Sequence, residues 1–143
     1  MNYRIVTKFD LTGFYMNIYE QIKYWVTVSE NDIPVMEHLF ESGDYSYSLF
    51  IGHLILEKIL KAHFVKIREE SPPRTHDLFK LANQLSLEFS EEQLKFLISV
   101  NTFNIEARYP EEKLSFYKKC TKEFALDNIY KIKELYLWLR SQI

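Results

Sequence analysis

Glycine and proline are scarce in this chain, with three and four among 143 residues. That scarcity argues against a β-sandwich or barrel, which needs frequent turn residues. There is one cysteine, Cys120, so no intrachain disulfide can form. A reducing cytoplasm suits such a chain. Uncharged apolar runs stay short of the roughly 18 residues a membrane span requires. The first residues lack a signal-peptide core, because Arg4, Lys8 and Asp10 interrupt it. Neither sign of charge dominates: the net charge is −2 and the pI about 6.1. A chain of that balance offers no global basic footprint for nucleic acid.

Motifs for catalysis are missing as well. The histidines are His38, His53, His63 and His76, and none sits in a His-Glu-x-x-His pair. No Cys/His spacing suits zinc. Too few glycines exist for a phosphate-cradling loop, and no nucleophile elbow is present. The residues thus predict neither metal nor cofactor. Cys120 lies in a lysine-rich stretch that would lower its pKa, against the blander reading of a half-buried small residue.

What remains is strongly helical. Hydrophobic content of 47% and aromatic content of 16% exclude a disordered chain, and the length suits one domain. Residues 1–17 read as an N-terminal extension, with a short extended piece at Tyr3–Val6. From Tyr15 to Glu41 apolar residues recur at three and four, giving one helix kinked at Pro34 or two pieces. Ser42-Gly43 stops it. Tyr45–Glu69 is apolar almost all round and so predicts a central buried helix, with one polar stripe, His53, Glu57 and Lys61. Pro72-Pro73 ends it. A short helix follows from Asp77 to Leu85, capped by Thr75 or Asp77. Ser90 and Gln93 form a capping box for a helix that weakens around Asn101–Asn104 and cannot pass Pro110. A last helix runs from Ser115 to Gln142. The predicted fold is all-α, an up-and-down antiparallel bundle of about five helices over residues 18–143.

Two breaks carry distinctive polar sets: Arg74-Thr75-His76-Asp77 and Glu106-Ala107-Arg108-Tyr109-Pro110. They read either as helix caps with Arg108 paired internally to Glu57, Glu106 or Asp77, or as the mouth of a groove. The buried stripe has the same two readings, a satisfied polar seam or a groove lining.

Taken together, Leu56-Glu57-Lys58-Ile59-Leu60-Lys61-Ala62, then Pro72-Pro73-Arg74-Thr75-His76-Asp77-Leu78, then Glu106-Ala107-Arg108-Tyr109-Pro110 resemble the HEPN family (higher eukaryotes and prokaryotes nucleotide-binding domain). Trp25, Ser29-Glu30-Asn31-Asp32 and Glu41-Ser42-Gly43-Asp44-Tyr45 are similar to its opening helix and turn. The resemblance implies a helical bundle that dimerises, and relatives that act with a separate nucleotidyltransferase chain. Other relatives are ribonucleases, toxins among them, with an Arg followed after four to six residues by a His. Here none of Arg4, Arg68, Arg74, Arg108 and Arg140 has a His at that distance. The nearest miss is Arg68 with His76, across Pro72-Pro73. The resemblance therefore implies a non-catalytic, cytoplasmic homodimer of the Arg-Tyr-Pro branch. It would bind a nucleotide, a nucleic acid or a nucleotidyltransferase partner, with His53, Glu57, Lys61, Arg74, His76, Arg108 and Tyr109 as ligand-binding residues. The alternatives are a ribonuclease with a non-standard site built on His76 and an arginine, and a purely structural interaction module.

Overall fold

The structure, a computed structural model, describes residues 5–9 and 15–143. The expected extended piece falls partly outside these residues, at Tyr3 and Arg4. Ile5–Phe9 (β1) pairs antiparallel with Tyr15–Asn17 (β2), with an irregular register between Ile5↔Asn17 and Phe9↔Tyr15. Asn17 then caps α1 (Ile18–Glu41). Its side chain accepts from the Glu20 N–H, while the Glu20 carboxylate accepts from the Asn17 N–H.

The helix α1 is continuous through Pro34, which lies on the exposed side where a missing N–H is least costly. It closes in a Schellman turn: Gly43, at φ 82°, donates to Phe40 O, and Asp44 donates to Leu39 O. The next helix, α2 (Tyr45–Arg68), is the axle of the fold. It packs against α1 along most of its length, and also against α3 (Leu78–Asn83), α4 (Glu91–Arg108) and α6 (Lys122–Ser141). Leu49, Ile55, Leu56, Ile59, Leu60 and Val65 of α2 are fully enclosed. Gly52 of α2 packs tightly against α6 and α1; a Cβ there would meet Ile132 Cδ1 at 2.6 Å and Met36 Sδ at 3.3 Å.

The architecture is the all-α bundle expected, with two corrections. The helix from Ser115 to Gln142 is two helices, α5 (Pro110–Lys119) and α6, so the described residues hold six helices. Thr121 divides them, its hydroxyl accepting from the Phe124 N–H as a new N-cap. The second correction concerns Arg108-Tyr109-Pro110, which is scarcely a loop. Tyr109 alone, at φ −94° and ψ 126°, separates α4 from α5. Pro110 explains this, since it drives the preceding residue extended and itself starts a helix readily. The stretch Asn101–Asn104 does not interrupt α4.

Candidate functional site

The polar stripe of α2 lies inside the protein. His53, Glu57 and Lys61 are 0%, 5% and 7% exposed. Each needs a partner at that depth, and the long connection 69–77 supplies most of them. Glu57 accepts from Lys61 Nζ at Oε2 (3.1 Å) and from His76 Nδ1 at Oε1 (2.8 Å). One turn earlier, His53 Nε2 donates to the His76 carbonyl (2.8 Å). His76 is therefore held twice, by its ring and by its backbone. Lys61 also lies over the Trp25 ring, 5.4 Å from its centroid.

The tautomers follow from these bonds. A carbonyl only accepts, so His53 carries its proton on Nε2. Its Nδ1 is buried without a partner, 4.0 Å from Glu57 Oε1. Burial lowers the His53 pKa below 6.5, opposed by the Glu57 charge and assisted by that of Arg108. His53 is accordingly neutral at pH 7. His76 donates its Nδ1–H to the Glu57 carboxylate, and its side chain is 51% exposed.

The connection is pinned at both ends. Arg68 donates twice to Gln84 O (3.2 and 3.1 Å), and Pro72 is buried. Asp77 caps α3 through the Lys80 N–H (3.1 Å) and accepts from Asn101 Nδ2 (2.9 Å), while Asn101 Oδ1 takes the Leu78 N–H (2.8 Å). Thr75 accepts from the Asp77 N–H rather than capping the helix itself. Asn101 carries no site signal in the sequence. A polar amide in mid-helix reads there only as helix weakness.

Arg74 and Arg108 make no ion pair among the described residues, unlike Arg140, which pairs with Glu30 at 3.0 Å. Arg108 makes no ion pair with Glu57, Glu106 or Asp77. It is exposed, and its guanidinium lies over the Phe50 ring at 5.8 Å. Glu106 instead turns inward, leaving Oε2 buried and unpartnered, and adds to the forces on Cys120. Burial first and Glu106 second push that thiol up to about 11, against the pull of Lys119. Cys120 is enclosed, as the reading of a buried small residue has it, so the neighbouring lysines do not lower its pKa. Arg74 is exposed, with no partner among the described residues, two residues before His76. Tyr109 is exposed as well. The structure thus joins His53, Glu57, Lys61 and His76 in one bonded cluster. Arg108 stands close enough for its charge to act on His53, and Arg74 and Tyr109 stay at the surface.

A separate groove of about 340 Å³ lies between the start of α4 and α6, lined by Phe96, Lys131, Glu134 and Trp138 among others. It shares no residue with this cluster. Among the described residues no three His, Cys, Asp or Glu side chains are grouped to hold a metal ion.

A family model described as HEPN domain matches residues 22–142, from the first turns of α1 to the end of α6. The chain belongs to the HEPN domain family. A solved structure similar to this HEPN chain is the crystal structure of TT1696 from Thermus thermophilus. It is 15% identical, with a TM-score of 0.76, over 86% of this chain and 98% of that one. At that identity the likeness concerns the fold. No curated protein matches the sequence. No helix among the described residues is long and apolar enough to cross a membrane.

Proposed function

We propose that this HEPN domain binds a nucleotide at the surface above the Glu57 cluster. The observation that carries the reading is the pair of arginines, Arg74 and Arg108, both exposed and both without a carboxylate partner among the described residues. Arg74 lies on the connection that His53 and Glu57 hold at the carbonyl and ring of His76, and Arg108 ends α4 with its charge acting on His53. A guanidinium offers a bidentate fork for phosphate, and an anchored loop loses little entropy on binding. Phe50 already stacks under Arg108, and the exposed Tyr109 ring gives a base a second flat surface. The near-zero net charge favours a mononucleotide over a long nucleic acid, whose affinity rests on many phosphate contacts. In this reading His53, Glu57 and Lys61 act from below, by fixing His76, and do not line the ligand. The reading puts the chain in the Arg-Tyr-Pro branch of the family, as a cytoplasmic protein.

Calorimetric titration with ATP, GTP and a short RNA tests it. The expected result is saturable binding of at least one mononucleotide, with a raised melting temperature. Arg74→Ala and Arg108→Ala should each weaken it about tenfold or more, the loss of a charge-assisted hydrogen bond, without lowering the melting temperature of the free protein. No heat and no melting shift at millimolar nucleotide would end the proposal.

A second reading, a protein partner, draws on α5. Leu114 and Tyr117, three residues apart on one helical face, are 72% and 70% exposed. A second copy of the chain or a nucleotidyltransferase subunit would cover them. Sedimentation of the purified chain, with Leu114→Glu as control, distinguishes a homodimer from a chain that awaits another partner.

A further inference from the structure

The groove between α4 and α6 lies apart from the proposed nucleotide surface and has a chemistry of its own. Its volume is about 340 Å³, within the range of about 300–1,000 Å³ that small-molecule sites occupy. Two strips of side chains meet across it. The first turns of α4 contribute Glu92 and Phe96. Lys131, Glu134, Leu135 and Trp138 come from α6, at spacings of three and four that put them on one helical face. Leu135 is buried, and Phe96 and Trp138 are half-buried, so the floor is apolar. Phe89 packs against Trp138 in a T-shaped contact, with ring centroids 5.3 Å apart, and steadies the indole. Glu92 and Glu134 are exposed, one on each wall.

Charge decides what such a groove would hold. Neither Glu92 nor Glu134 forms an ion pair among the described residues, whereas neighbouring Glu91 pairs with Lys95 and Lys131 pairs with Asp127, both at 3.0 Å. The cation of the lining is thus already matched, and two carboxylates are not. An anion is disfavoured at the start of α4. The Gln93 N–H is committed to Ser90 Oγ (3.0 Å) and the Ser90 N–H to Gln93 Oε1 (2.8 Å), while Glu91 and Glu92 already sit at the positive end of the helix dipole. A cation finds acceptors on both walls and an indole ring that attracts ammonium. Carboxylates on opposite walls with an apolar floor between them match a chain of methylenes with an ammonium group at each end.

We propose that this groove binds a small aliphatic polyamine, with Glu92 and Glu134 each taking an ammonium group and Phe96, Leu135 and Trp138 covering the methylenes between them. A single ammonium would leave one carboxylate unmatched. A metal ion would find no third carboxylate or imidazole grouped with these two among the described residues. The groove shares no residue with the Glu57 cluster, so the inference stands independently of nucleotide binding.

The test is a titration of the full chain, free of nucleotide, with putrescine and spermidine. The readout is the indole N–H signals of Trp25 and Trp138 in a proton–nitrogen correlation spectrum, assigned with Trp138→Phe. The Trp138 signal should shift saturably while that of Trp25 stays in place, with a Kd on the order of a millimolar or tighter, as a ligand of so few atoms allows. Butylamine, with one ammonium, should bind more weakly than putrescine, and butanediol, with none, should not bind. Glu92→Gln and Glu134→Gln should each weaken spermidine binding about three- to fivefold, the worth of an exposed ion pair. Glu111→Gln, outside the groove, should leave it unchanged. Lys131→Gln should tighten it, by removing a like charge from the lining. No movement of the Trp138 signal at about 10 mM spermidine, well above that Kd, would overturn the proposal. So would butylamine binding as tightly as putrescine, or a loss with Glu111→Gln equal to that with Glu134→Gln, which would mark diffuse attraction to surface charge.

Discussion

At the scale of single residues, the cost of the site lies in its buried charges. Glu57→Ala would strand Lys61 under Trp25 without a counter-charge and leave His76 unheld. Breaking one partner of a buried pair costs about 3–5 kcal/mol, so denaturant unfolding should show a loss of that size, with a smaller one for Glu57→Gln. Two histidines add a pH dependence. His53 and His63 both have pKa values lowered from 6.5, chiefly by burial; His63 Nε2 donates to Leu139 O at 2.7 Å. Below pH 6.5 the unfolded chain binds these protons before the folded one does. Their contribution is thus whole above pH 6.5 and declines as pH falls through the folded values. His63→Gln should make the fall in melting temperature between pH 7 and pH 5 shallower. Cys120, with its thiol pushed up to about 11, should resist alkylation at pH 8 in the native protein and react promptly in denaturant. Of these residues, the stripe His53, Glu57 and Lys61 is legible in the sequence, because spacing by four on an apolar helix is a local property. That Glu57 reaches His76, and that Arg108 reaches no carboxylate, depends on how a nine-residue connection lies across two helices, and no local pattern records that.

At the scale of elements, boundaries are set by short side chains at helix ends. Ser90 and Gln93 open α4 by the reciprocal bonds their spacing predicts. Thr121 does the same for α6 alone, with no partner at the third position. That is why a continuous periodic run from Ser115 to Gln142 hides the division. Thr121→Ala should cost about 1 kcal/mol in thermal unfolding. Gly52 makes the converse point, for its role is packing and not chain reversal. Gly52→Val would push into Ile132 and Met36, and overpacking of a tight three-helix contact costs about 1–3 kcal/mol. Stabilisation by Gly52→Val would show that α6 can retreat from α2.

At the scale of the whole molecule, the fold is largely written in periodicity. An apolar helix long enough to bury its full circumference had to be central, and α2 is. The flanking helices needed only one apolar face each. Of the two-stranded pairing before α1, the sequence suggests only the extended piece at Tyr3–Val6, which overlaps β1; β2 is too short to carry a pattern. The Schellman turn at Gly43 joins two 24-residue helices whose contact is the most extensive among the described elements. Contacts so near in sequence close quickly, because little chain entropy is lost in forming them. The α1–α2 hairpin should therefore assemble first during folding, and the connection bearing His76 should dock onto it late. Native-state hydrogen exchange should show the amides of 69–77 opening at far lower free energy than those of α2. The surface that His76 carries would then be the last feature the chain completes as it folds and the first it loses as it warms.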